Sequence, residues 1–194
     1  MRSRVDDLLE QIAVLERELE DEFNRARTQW RYRIDAERVR FEQEVHQAHL
    51  RLKQSIPRFL RESRPANLLT TPVVYSMIVP IVLLDVWVTV YQAICFRIYG
   101  IARVRRSQYI VIDRHHLAYL NAIEKLNCVY CGYANGVFAY VREIAGRTEQ
   151  YWCPIRHAKR VRAPHRHYRR FVDYGDAEGY QRRLLPLRDE LKDN

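Results

Sequence analysis

Glycine and proline are scarce, at 6 and 7 of 194 residues, which excludes collagen-like, mucin-like and low-complexity chains. Cysteine is scarcer still, and four thiols are too few to staple a disulfide scaffold. Charge is missing from one whole stretch. Lys and Arg are absent between Arg64 and Arg97, and Asp85 is the only acid there. Residues 1–66 hold 14 basic and 13 acidic side chains, whereas residues 97–194 hold 19 and 10. The net charge of +9 therefore comes almost entirely from the last block. A mixed-charge segment, an uncharged segment and a basic segment make three regions of one chain.

The uncharged segment, residues 67–100, sets the class. Its run Val73–Ile98 would be roughly 39 Å long as a helix, enough to cross a bilayer core of about 30 Å. It begins too late, behind a charged segment, to be a secretory signal peptide. Tyr75 and Tyr99 flank it as interfacial aromatics do. Pro80 lacks a backbone donor and predicts a kink. Asp85 falls near the midpoint, where an acid needs a polar contact: another subunit, a backbone carbonyl, or Thr89 one turn on. Five cations close to either end leave the positive-inside rule without a preference. That balance admits a single span or a hairpin turning near Pro80.

Residues 1–66 predict a long amphipathic helix. Val5, Leu8, Ile12, Leu15 and Leu19 follow heptad spacing. From Leu19 the steps change to an eleven-residue period through Phe23, Ala26, Trp30, Ile34, Glu37, Phe41, Val45, Ala48, Leu52, Ile56 and Phe59. No Gly or Pro interrupts it before Pro57, so residues 3–55 read as one coiled-coil-like rod of roughly 80 Å. Such a stripe over residues 5–59 calls for a protein partner, a second copy of itself or a lipid surface.

Three cysteines form the sharpest chemical pattern. Cys128 and Cys131 are spaced Cys-x2-Cys, and Cys153 and His157 follow as Cys-x3-His. Gly132 would allow a tight knuckle at 127–132, and one helical turn would bring Cys153 and His157 together. The four ligands predict a closed Cys3His shell, with zinc its usual occupant and a structural role. Iron or an iron–sulfur centre is less favoured, and a redox Cys128/Cys131 pair lacks its βαβ context. His115, His116, His165 and His167 are alternative fourth ligands. Cys95, inside the apolar run, reads as a small buried residue.

The rest of residues 107–171 reads as a small α-helical domain stapled by that metal. Helices are expected over 114–126, over 136–151 and from Pro154 onward, with Asp113 capping the first. His115, His116, Glu124 and Glu143 match no catalytic signature beside Asp113, so the reading leans away from an enzyme. Arg156, Lys159, Arg160, Arg162, Arg166, Arg169 and Arg170 lie in a window without acids. Beside a bilayer, such a basic helix suits anionic lipid headgroups better than nucleic acid. Residues 172–194 carry Gly175, Gly179 and Pro186 and read as a loosely ordered tail.

The stretch Asn127-Cys128-Val129-Tyr130-Cys131-Gly132-Tyr133-Ala134-Asn135-Gly136, with Tyr151-Trp152-Cys153-Pro154-Ile155, resembles a family of small bacterial membrane proteins. The resemblance covers about residues 109–160. It implies a bacterial inner membrane and no particular activity. The sequence thus points to a mostly α, membrane-anchored adaptor or assembly protein with a structural zinc site and a partner-binding rod. Reduced thiols and the basic block suit a cytoplasmic face for the metal domain. A membrane-bound redox or metalloenzyme component, and a membrane-tethered nucleic-acid-binding zinc module, are the alternatives.

Overall fold

The computed structural model describes residues 4–29, 32–35, 38–41 and 43–192, and the chain is largely helical. It divides into two compact units, one of residues 1–60 with 115–125 and one of residues 61–114 with 126–194.

The first unit is not one rod. Helix α1 (Arg4–Gln29) keeps the heptad stripe, but strands β1 (Tyr32–Asp35) and β2 (Arg38–Phe41) follow as an antiparallel hairpin. Tyr32 pairs with Phe41 and Ile34 with Val39. Both strands alternate apolar and charged residues in sequence, and this period of two overrides the sparser eleven-residue seam. Glu37, part of that seam, lies outside the described residues. Helix α2 (Gln43–Arg51) follows, then α3 (Ile56–Glu62), which Pro57 enters at a permitted first-turn position. On α1, Leu8, Leu15, Leu19 and Phe23 of the stripe stay exposed. Within this unit His49 packs edge-on against Tyr119 at 5.2 Å.

The second unit is built on one helical stretch, Pro65–Tyr99, of 35 residues and mean hydropathy 2.2 over its most apolar window. It is the one helix among the described residues long and apolar enough to cross a membrane. It comprises α4 (Pro65–Ser76), α5 (Ile78–Tyr91), a π-helical turn at Gln92–Phe96 and the short α6 (Arg97–Tyr99). Pro65 starts it where a missing N–H costs nothing. Pro80 cannot donate to Ser76, and the ladder loosens one turn earlier at Met77, whose N–H reaches Val74 at 3.3 Å. The axis continues through this point, so the alternative of a hairpin turning near Pro80 is not formed. Gly100 ends the stretch at φ 69°, the left-handed cap that places Ile101 N–H on the Phe96 carbonyl at 2.9 Å.

Residues 101–114 then run back along the helix as an irregular strap. Helix α7 (Ala122–Trp152) follows, 31 residues long. Asn121 caps it, not Asp113: Asn121 Oδ1 accepts from the N–H groups of Ile123 and Glu124, and Glu124 reaches back to the Asn121 N–H at 2.8 Å. This reciprocal capping box moves the start past the expected 114–126 helix. The helix then runs straight through the expected knuckle at 127–132.

Helix α7 packs parallel to the Pro65–Tyr99 helix. Tyr75 meets Tyr130, Asp85 meets Tyr133, Tyr91 meets Thr148 and Tyr99 stacks on Tyr151 at 5.0 Å. Two small residues let the strap lie close against α7. A Cβ at Gly136 would fall 2.7 Å from Ile110 Cα, and one at Gly132 would fall 3.1 Å from the Val111 carbonyl. The core comprises Phe96, Ile101, Val104, Tyr140, Ile144 and Leu191.

No helix starts at Pro154. The chain leaves α7 as a loop, pairs Ile155 with Val172 in a single parallel bridge, and turns through a 3-10 segment at Arg166–Arg170. Residues expected to be loosely ordered form α8 (Ala177–Asp189), capped by Asp176 and anchored by buried Leu187, with Leu191 buried just beyond it. Burial of those leucines outweighs the helix-weakening Gly179 and Pro186.

Candidate functional site

The apolar helix has two unlike sides. Successive residues turn about 100°, so Leu83 and Trp87 lie roughly 160° from Asp85. They are 65% and 78% exposed, whereas Asp85 is 6% exposed. Leu69, Val73, Val79, Val90, Ile94 and Ile98 extend this bare arc along the whole helix. The opposite seam carries Tyr75, Asp85, Thr89, Gln92 and Tyr99, facing α7 or the strap. Packing within the chain has used the polar side and left the apolar side uncovered.

Asp85 is satisfied inside its own chain. Arg106 donates from Nη2 to Oδ2 at 2.6 Å and from Nε to Oδ1 at 3.1 Å, and Tyr133 donates to Oδ2 at 2.8 Å. Thr89, one of the partners the sequence allowed, also bonds Asp85 and lies 3.4 Å from the Tyr140 hydroxyl. One turn on, buried Gln92 accepts the Val104 N–H at 3.0 Å and donates to the Tyr140 hydroxyl. The π turn that starts at Gln92 adds a residue to the ladder there, as such turns do where a side chain must be aimed. A lone acid in an apolar run was a signal that a cation must be near; which cation was not readable.

The four expected metal ligands do not converge. Cys128 and Cys131 sit one turn apart on α7, while Cys153 lies just beyond its end. Roughly 30 Å of continuous helix separates Cys131 from Cys153, because each residue rises about 1.5 Å. His157 is exposed, with its ring stacked on Tyr168 at 6.1 Å. All four cysteines, Cys95 included, are free thiols. Among the described residues no three His, Cys, Asp or Glu side chains are grouped to hold a metal ion. The Cys3His ligands are therefore not grouped among the described residues, and His165 and His167 are engaged elsewhere.

His165 pairs with Glu149 at 2.8 Å, and His167 belongs to a buried clamp that sequence reasoning missed. Glu143 accepts from Arg147 at 2.8 Å and from Arg166 at 2.5 and 3.0 Å. His167 Nε2 lies 3.1 Å from Glu143, and its Nδ1 lies 2.8 Å from Gln150 Oε1. Gln150 in turn donates to the Leu187 carbonyl at 2.7 Å. Arg147 also reaches the Ala102 carbonyl at 2.7 Å. Burial disfavours charge on Glu143, yet the hydrogen bonds from His167, Arg166 and Arg147 outweigh it and hold the carboxyl far below its usual range. A carboxylate so fully donated to is a poor general base. Its effect is to tie the strap, the 3-10 segment and α8 to α7.

The basic block is only partly free. Arg156 pairs with Asp173 at 2.8 Å, Arg166 with Glu143, and Arg170 with Glu190 at 3.0 Å. Arg169 contributes its carbonyl to Arg156. Lys159, Arg160 and Arg162 project from the exposed loop after Cys153, which Arg142 holds by the Ala163 and Pro164 carbonyls. The expected basic helix is thus a loop with three outward cations. No family model, no curated protein and no solved structure matches the chain.

Proposed function

We propose that this chain is a membrane-anchored adaptor. The Pro65–Tyr99 helix seats the second unit in lipid, and Lys159, Arg160 and Arg162 meet anionic headgroups. The exposed heptad stripe of α1 is offered to a partner helix. The single observation that carries the reading is the bare arc through Leu83 and Trp87, since a continuous apolar surface along a 35-residue helix calls for a nonpolar environment. The polar groups of that helix are already paired inside the chain, which leaves lipid as the natural neighbour of the outer arc.

Fractionation of expressing cells tests this. The unaltered chain is expected in the membrane pellet after alkaline carbonate washing. Leu83→Asp with Trp87→Asp is expected to move most of it to the soluble fraction, because each buried charge costs about 2–3 kcal/mol in lipid. Retention of the double variant would overturn the reading.

A further inference from the structure

We infer that the Pro65–Tyr99 helix lies along an anionic bilayer surface instead of crossing it, with Leu83 and Trp87 toward the hydrocarbon and the strap among the headgroups. The inference rests on the membrane-anchored reading and specifies how the anchor sits.

The strap is the first reason. It runs beside the apolar helix at successive levels. Val104 is bonded to Gln92, Arg106 to Asp85, and Ile110 packs against the cluster of Ile81, Ala134 and Val137. Its backbone is irregular there, and the N–H groups of exposed Val111 and Ile112 find no acceptor among the described residues. Hydrocarbon does not tolerate such open backbone unless protein or water covers it. A crossing helix would carry the strap into the bilayer interior, whereas a helix lying flat keeps it wet.

The cations are the second. Arg103 and Arg105 flank Val104, Arg106 stands at the level of Asp85, and the Arg114 guanidinium lies beside Gly132, 3.5 Å from where a Cβ would be. Positive charge therefore follows the length of the apolar helix, not just its ends. The Arg106 side chain is 46% exposed while paired to Asp85. In a crossing orientation it would sit near mid-bilayer, but in a flat one it reaches phosphates from the polar side. Arg97, at the helix end, has a long stem that can bend to the same level.

Trp87 is the third. It stands at the centre of the bare arc and not at an end, where a crossing helix places its indoles. A flat helix puts it at the boundary between headgroups and acyl chains.

Cysteine labelling in sealed vesicles from expressing bacteria decides the matter. Ser63→Cys, Ser107→Cys and Tyr174→Cys, made singly, report the start of the helix, the strap and the C-terminal region, with peptide mapping to separate them from native thiols. All three are expected to react with a membrane-impermeant maleimide in inverted vesicles, and none in right-side-out vesicles. Positions 63 and 174 reacting from opposite faces, with 107 protected, would overturn the inference while leaving the anchor intact. Recovery of the protein in the soluble fraction would defeat the anchor reading itself. Trypsin on the unaltered chain gives a variant-free check, with cleavage near Arg64 and near Arg105 expected from the same face.

Discussion

Asp85 and Arg106 stand 21 positions apart in sequence, yet the carboxylate and guanidinium meet through two prongs, at 2.6 and 3.1 Å. The pair fastens the strap to the apolar helix at its middle. Arg106→Ala would leave the buried carboxylate with Tyr133 as its remaining strong donor. A loss of about 1–3 kcal/mol is expected, less than for a fully buried pair because Arg106 is half exposed. Unfolding in mild detergent measures it. Adding Asp85→Asn should recover part of the loss, and no recovery would argue against the pair.

Gly136 marks the closest approach of strap and α7. The methyl group of Gly136→Ala would fall 2.7 Å from Ile110 Cα and 2.8 Å from the Tyr109 carbonyl. Both are backbone atoms, so the strap must move. About 1–3 kcal/mol of destabilisation is expected, with faster tryptic cleavage after Arg105 or Arg106. Unchanged cleavage would mean that the strap is not held there.

Glu143 makes stability depend on pH. Its carboxyl is depressed in the folded chain, so the unfolded state binds the proton more tightly. The clamp's contribution is complete above the ordinary glutamate value of 4.5 and declines as pH falls below it. Thermal melts from pH 7 to pH 3 should show this acid-side loss in the unaltered chain. Glu143→Gln should be less stable at pH 7 and show a flatter acid limb. Parallel limbs would place the acid sensitivity elsewhere.

The cysteines should act independently. Cys128→Ser and Cys153→Ser sit at different places along and beyond α7, so their effects on the melting temperature are expected to add. A double variant no worse than either single one would reveal a shared ligand, as a common metal shell requires.

Much of the apolar-helix architecture was legible because it rests on composition. No cation from Pro65 to Phe96 and a single acid define an apolar helix whatever surrounds it. Local signals that failed did so through competition. Asn121 and Glu124 spell a capping box, but Asp113 offered an earlier start to the same apolar pattern. Gly132 reads as the turn-maker of a Cys-x2-Cys knuckle, and Gly136 as the start of the next helix. Four apart on one helix face, they instead make room for the strap. Alternation in Tyr32–Asp35 and Arg38–Phe41 is masked by a longer, weaker period in the same residues.

Sequence by itself determined that this protein is mostly helical, with an apolar helix, a lone acid needing a partner and a basic C-terminal block. Those properties follow from side-chain chemistry and helical period, which act over a few residues. Only the tertiary structure decided that Arg106 answers Asp85, that Glu143 gathers Arg147, Arg166 and His167, and that Cys131 and Cys153 lie far apart. Each outcome depends on how long α7 runs and which way the strap returns. Spacing along a chain carries distance only after the path between the residues is known.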